Sequence, residues 1–238
     1  MTYNFDWGIL WQTPYLNWIL HGIWITLVLT LASSILSFAT GVCLAFMTMS
    51  RSSILYLPAR AYIHIARNLP GLFWILFFYF VFPELIPASA GAALNSSSYY
   101  PIIAGILGLT VDNSPYVAEI FRSGVSAVSP GQWESAMASG LTPFQLWTRI
   151  LLPQAMRISA GPLGTRLIHN FKNTSLCMAI AVPEMTWASR QIESLTFSGI
   201  EALTAATVFY VVLGLMLATL VNHLDTRFNN QVRSKADQ

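Results

Sequence analysis

Apolar residues fill this chain in five long blocks, and polar residues gather between them. The blocks run from about 19 to 49, 61 to 82, 100 to 122, 158 to 182 and 202 to 224. Each predicts an α-helix able to cross the hydrocarbon core of a bilayer, which takes about 20 residues. The first is longer than one bilayer thickness and is expected to tilt or protrude, and the second is broken near its start by Arg67-Asn68-Leu69-Pro70. Residues 50–60 hold Arg51, Pro58 and Arg60 and read as a short polar turn. Residues 83–99 read as a loop with Pro83, Pro87, Gly91 and an Asn-Ser-Ser-Ser tract, Glu84 being the only charge. Residues 183–199 read as a second loop, with Glu184, Arg190 and Glu193. Ahead of the first block, Tyr3, Phe5, Trp7, Trp11, Tyr15 and Trp18 accompany Asp6 and no basic residue. Aromatics of this density suit the membrane–water interface, where apolar ring and polar edge are both satisfied. The pattern therefore divides into an interfacial segment at 1–18, one transmembrane domain at 19–224 and a short tail at 225–238. No internal repeat is evident.

One interruption is more than a loop. In residues 129–153, Ser129-Pro130-Gly131-Gln132 predicts a capping box, with Ser129 as N-cap, proline at the first helical position and Gln132 three residues on. A short helix through Glu134, Ala136 and Met137 is stopped by Gly140, since glycine tolerates the left-handed conformation that closes a helix. Thr142-Pro143-Phe144-Gln145 repeats the opening for a second short helix to about Leu151, and Pro153 begins the next segment. The result is a helix–turn–helix elbow between two spans.

Composition agrees with the pattern. Of 238 residues 55% are hydrophobic and 9% charged, against roughly 25% charged in soluble domains. Basic residues are unevenly spread. Arg51, Arg60, Arg122, Arg149, Arg157, Arg227, Arg233 and Lys235 share one side, and Arg190 stands alone on the other. The positive-inside rule then places the N-terminus outside, the elbow and C-terminus in the cytoplasm. Cys43 and Cys177 lie in apolar stretches and read as small core residues, neither disulfide nor metal pair. The first residues carry no positive charge, so a cleavable signal peptide is not expected.

The elbow also carries a resemblance. Glu134, Gly140 six residues on, Ile150 ten further and then Leu152-Pro153 match the spacing of the "EAA" signature of ABC-importer permease subunits, with Ser135 where alanine is usual. Tyr116-Val-Ala-Glu119-Ile-Phe-Arg122, Leu152-Pro153-Gln154-Ala155, Lys172-Asn173-Thr174-Ser175-Leu176 and Arg67-Asn68-Leu69-Pro70 are similar to the polar amino-acid branch of that family. The resemblance implies an all-α integral membrane protein of the type I ABC-importer permease fold with about five transmembrane helices. It implies that Glu134, Ser135, Ala136, Gly140 and Leu141 form a coupling helix docked on a cytoplasmic ABC ATPase dimer. It also implies a second permease subunit, identical or homologous, and an extracytoplasmic substrate-binding protein. No G-x-x-x-x-G-K-[ST] loop occurs in the chain, so ATP and Mg are expected in the ATPase and no cofactor in this subunit. Lipids are the remaining partner, and no nucleic-acid partner is expected.

Polar residues inside the spans are the candidate substrate pathway, because ionisable groups at bilayer depth are costly. They are His64, Arg67, Asp112, Asn113, Glu119, Lys172, Asn173, Thr174 and Ser175. Each has a plainer reading. Arg67 snorkels to the surface; Lys172 pairs with Asp112 or Glu119; Glu119 and Arg122 pair one turn apart; His64 packs. Similar permeases often carry glutamate at the place of His64, which favours an acidic or neutral substrate over a basic one, while Asp112 argues the other way. The protein is expected to be a transport subunit and not an enzyme. An ion-coupled carrier or channel relaying through Arg67, Asp112 and Lys172, and a non-transporting scaffold, are the alternatives.

Overall fold

In the computed structural model, which describes residues 5–236, the longest buried contact is built on small side chains. Residues 1–4, including Tyr3 of the expected aromatic segment, lie outside the described range. Helix α1 (Tyr15–Met49) buries Gly22, Thr26, Ser33, Ser37, Gly41 and Ala45 along one stripe. Small residues every third or fourth position let two backbones approach where lipid offers no hydrophobic drive for association. Gly22 and Thr26 lie against Met185 and Ala188, and from Ser37 to Ala45 the partner is α6 (Tyr100–Ser126), which runs parallel to α1. Ser37 Oγ donates to the Thr110 carbonyl at 3.4 Å, and the Phe46 and Phe121 rings lie 5.7 Å apart nearer the elbow. Other hydroxyls of the stripe donate within α1, Thr26 Oγ1 to the Gly22 carbonyl at 2.9 Å and Thr30 Oγ1 to that of Thr26 at 2.7 Å, while Thr26 Oγ1 also accepts from the Met185 amide at 3.2 Å and Ser33 Oγ from Asn170 Nδ2 at 2.8 Å.

The second block is not one straight span. Helix α2 (Ser53–Asn68) ends where Leu69 takes an extended conformation ahead of Pro70. A residue preceding proline is pushed out of the α region by the ring. Helix α3 (Gly71–Leu76) restarts after a bend of 108°. It continues through a π-helical turn (Phe77–Val81) into α4 (Phe82–Leu85). Helix α3 runs antiparallel to α6 and touches it closely. A Cβ on Gly108 would lie 2.6 Å from the Ile75 Cα. Overpacking of this kind costs about 1–3 kcal/mol. Gly108→Ala is therefore expected to lower the thermal unfolding temperature of the purified subunit, measurable by a melting scan in detergent.

Beyond α4 the expected loop at 83–99 contains helix α5 (Ala88–Asn95). The elbow comprises α7 (Pro130–Ala138), Gly140 at φ +75° and α8 (Pro143–Leu146). The second capping box is present in full: Gln145 N–H donates to Thr142 Oγ1 at 3.3 Å and Thr142 N–H to Gln145 Oε1 at 3.0 Å. The first is not, since Ser129 makes no side-chain cap. Its expected partner Gln132 instead accepts from Gln154 Nε2 at 2.6 Å, tying the elbow to the next helix.

Helix α8 does not stop at Leu151. A π-helical turn (Trp147–Leu151) leads directly into α9 (Leu152–Asn173). Both π turns end two residues before a proline, Pro83 or Pro153. Proline lacks the amide that would bond the carbonyl four residues back and clashes with it, so the ladder widens. The fourth block then closes as a 3-10 turn (Thr174–Ile180), and Ala181 is left-handed. The expected loop at 183–199 is mostly helix α10 (Met185–Thr196). Its start is capped by the buried Glu184, which accepts from the amides of Thr186 and Trp187 at 2.9 and 2.7 Å and from Tyr210 Oη at 2.8 Å. Helix α11 (Gly199–Ala236) carries the fifth block and continues through most of the expected tail. Among the described residues, α1 and residues 199–226 of α11 are each long and apolar enough to cross a membrane, and the bent α2–α4 pair makes a third candidate.

Candidate functional site

Polar side chains from three helices meet midway along α6. Asp112 lies about 21 Å from the elbow end of α6 at Ser126, at 1.5 Å per residue. The bend at Pro70 brings the end of α2 across α6 at this level. The Arg67 guanidinium lies 5.2 Å from the Tyr116 ring centroid, and Gly71 backs directly onto the Asp112 carboxylate. From α9, the Arg166 guanidinium lies 4.1 Å from the same centroid. Cations over an aromatic face are held by the ring quadrupole. Arg166 spends Nε and Nη2 on one acceptor, Asn113 Oδ1, at 2.9 and 2.5 Å. Asn173 Nδ2 donates to Asp112 Oδ2 at 3.3 Å and lies 3.3 Å from His169 Nδ1. Arg166, His169 and Asn173 stand three or four residues apart, on one stripe of α9.

Two further groups flank this cluster. Toward the elbow, Arg122 Nη2 lies 2.7 Å from Glu119 Oε2, and Arg60 Nη1 lies 3.9 Å from Glu119 Oε1, so α2 and α6 are clamped by a charge triad. On another side of α9, Lys172 lines a cavity of about 630 Å³ beside α11, with Ser175, Thr186 and Tyr210. Lys172 is exposed and forms no ion pair with Asp112 or Glu119. Behind the cavity Thr186 Oγ1 and Tyr210 Oη are 3.3 Å apart, joined to Glu184.

The sequence candidates divide accordingly. Arg67, Asp112, Asn113 and Asn173 come together around Tyr116. Lys172 and Ser175 belong to the α9–α11 cavity. Glu119 belongs to the arginine clamp. Thr174 is fully buried and donates to the Phe171 carbonyl at 2.7 Å. His64 is exposed on α2, one turn before Asn68, whose amide bonds the His64 carbonyl at 2.8 Å. Arg166, His169, Thr186 and Tyr210 were not singled out from the sequence, and Tyr116 only as part of a motif. The polar stripe on α9 was legible in the spacing of 166, 169 and 173. The contribution of α10 and α11 was not, because it depends on how those helices fold back.

In the elbow, Ala136 is buried with Val128, Leu146 and Leu151, and Leu141 packs against them. Glu134, Ser135 and Gly140 face outward. Beside them Trp133, Met137 and Phe144 are 44%, 47% and 76% exposed. Large apolar side chains clustered in the open mark a contact surface.

Residues 37–230 match the family described as "Binding-protein-dependent transport system inner membrane component". The chain belongs to that family. Curated relatives span nearly the same length. A protein of Bacillus subtilis (strain 168) described as "Probable glutamine ABC transporter permease protein GlnM" is 32% identical over 87% of this chain and 92% of its own. "Glutamate/aspartate import permease protein GltK" of Escherichia coli O6:H1 is 29% identical over 94% of this chain and 99% of its own. Among solved structures, one described as an amino acid ABC transporter with histidines superposes with a TM-score of 0.80 at 28% identity, covering 95% of this chain and 100% of that one. The MetNI methionine transporter shares the fold, with a TM-score of 0.74 at 19% identity over 91% of this chain and 99% of that one. The protein is thus a bacterial inner-membrane permease subunit of an amino-acid ABC importer, a transport component and not an enzyme. An ion-coupled carrier and a passive scaffold, both weighed from the sequence, are not what this family is.

Proposed function

We infer that this permease subunit carries a polar amino acid, acidic or neutral in preference to basic, through a path lined by the Tyr116 cluster and the Lys172 cavity. The observation that carries the reading is exposure at depth. Arg67 is exposed at the level of Tyr116, about one turn on the elbow side of Asp112, and His169 and Lys172 are exposed farther from the elbow. Charged groups there are too costly to face lipid, so this face borders water or a partner. A second permease subunit, identical or homologous, closes the path on that side. The N-terminus lies outside and the elbow in the cytoplasm, as the basic residues distribute.

The elbow docks on an ATPase dimer through Trp133, Glu134, Met137 and Phe144, with Gly140 setting the turn. An extracytoplasmic binding protein delivers substrate at the end formed by α4, α5 and α10. The test is reconstitution with the cognate ATPase and binding protein in liposomes. Uptake of a labelled amino acid is expected only with ATP and the ATPase present. Uptake at full rate without the ATPase overturns the reading.

A further inference from the structure

We propose that the Arg67–Tyr116–Arg166 group, with Asp112 beside it, selects an amino acid that bears a carboxylate side chain. The proposal rests on the pathway reading above and adds to it the charge of the substrate.

The cluster holds two permanent cations and one carboxylate. Both guanidinium carbons approach the same ring centroid, so they are no more than about 9 Å apart and repel. Tyrosine lowers that cost through its ring face without supplying a negative charge. Arg166 bonds only to the neutral Asn113 amide, which takes two of its five N–H donors. Arg67 makes no hydrogen bond and no ion pair among the described residues. Asp112 accepts one hydrogen bond, from Asn173, and otherwise feels Arg166 and His169 only through space. No other carboxylate reaches the group: Glu119 is engaged by Arg122 and Arg60, and Glu184 by α10 and Tyr210.

Substrate charge then decides the balance. A zwitterionic neutral amino acid leaves one uncompensated positive charge at depth. A basic one adds a second. An amino acid with two carboxylates and one ammonium brings the sum about Tyr116 to zero, and Lys172, a further cation on the path, favours the same charge. Its groups also match the chemistry present: planar guanidinium forks recognise carboxylates in two-pronged fashion, and Asp112 takes the ammonium. Arg166, absent from the sequence-level candidates, tips the balance that His64 and Asp112 alone left divided.

The experiment measures binding to the assembled permease–ATPase complex in nanodiscs without the binding protein, whose own selectivity would mask that of the pathway. L-glutamate, L-glutamine and L-arginine are titrated by calorimetry. Glutamate is expected to bind at least tenfold more tightly than glutamine, and arginine more weakly than both. Arg166→Gln and Arg67→Gln should each reduce the glutamate-over-glutamine preference at least tenfold, while Arg166→Lys, which keeps the charge, retains part of it. Size-exclusion chromatography with the ATPase reports assembly. Should Arg166→Gln fail to assemble, Arg67→Gln and Arg166→Lys carry the comparison. Equal binding of glutamate and glutamine, an unchanged preference in the glutamine variants, or no binding of any probe overturns the proposal. If the reconstituted system still takes up some amino acid with ATP, only the charge selection has failed. If it takes up none, the transport reading falls with it.

Discussion

Gly140→Pro abolishes ATP-driven uptake while the protein still inserts and its spans still pack. Gly140 has φ +75°, a value proline cannot adopt because its ring fixes φ near −65°. The substitution also removes the amide that donates to the Met137 carbonyl at 3.0 Å and closes α7. The turn must then open, and α7 and α8 lose their mutual angle. Gly140→Ala is the informative control. A Cβ there meets nothing within 4 Å, so alanine bears only the left-handed backbone cost of about 1–2 kcal/mol. Partial uptake is expected for alanine and none for proline. Glu134→Lys, on the outward face of α7 beside Trp133 and Met137, should leave the elbow folded and separate ATP hydrolysis from uptake. Assay of both activities on the same liposomes checks this. Normal uptake by both Gly140→Pro and Glu134→Lys would remove the elbow from the mechanism.

Lys172→Ala is the second large effect. Lys172 is exposed at the wall of the α9–α11 cavity and has no ion-pair partner among the described residues. Its removal therefore leaves no stranded carboxylate, and the fold and the contact with the ATPase should survive. Transport should not. A charged hydrogen bond to a substrate carboxylate contributes about 1.5–3 kcal/mol, roughly ten- to over a hundredfold in transport efficiency. Uptake kinetics beside a pull-down with the ATPase separate the two roles. Retained uptake would make the lysine a structural residue.

How much of this was legible in advance depends on the range of the interactions involved. The elbow reads directly because its determinants are local: a threonine–proline–glutamine cap, a glycine turn, and Pro153 thirteen residues beyond the glycine. Its first cap failed for a tertiary reason, since Gln132 found Gln154 instead of the Ser129 backbone. The break near the start of the second block was legible at Arg67-Asn68-Leu69-Pro70, but its angle was not, because hydropathy does not register direction. Only Pro70, already visible, hinted at the 108° bend. Helix α10 read as a loop because charges and a proline mark its edges, yet the buried Glu184 turns one of those charges into its cap.

The substrate face followed the same division. Spacing revealed that α9 bears polar residues, and α6 a carboxylate at mid-span. It did not reveal that Arg166 and Arg67 converge on one tyrosine, because the two lie far apart in sequence and meet only where the bend between α2 and α3 lays the end of α2 across α6. Nor did it reveal that Lys172 turns away from Asp112 toward α11. Sequence by itself determined that the chain is helical, lies in a membrane, and presents a capped elbow between its third and fourth spans. These follow from hydropathy and from bonds within a few residues. The tertiary structure alone decided which polar groups share a site and which are spent on holding helices together, because pairing across helices depends on bends and crossings that no local pattern encodes.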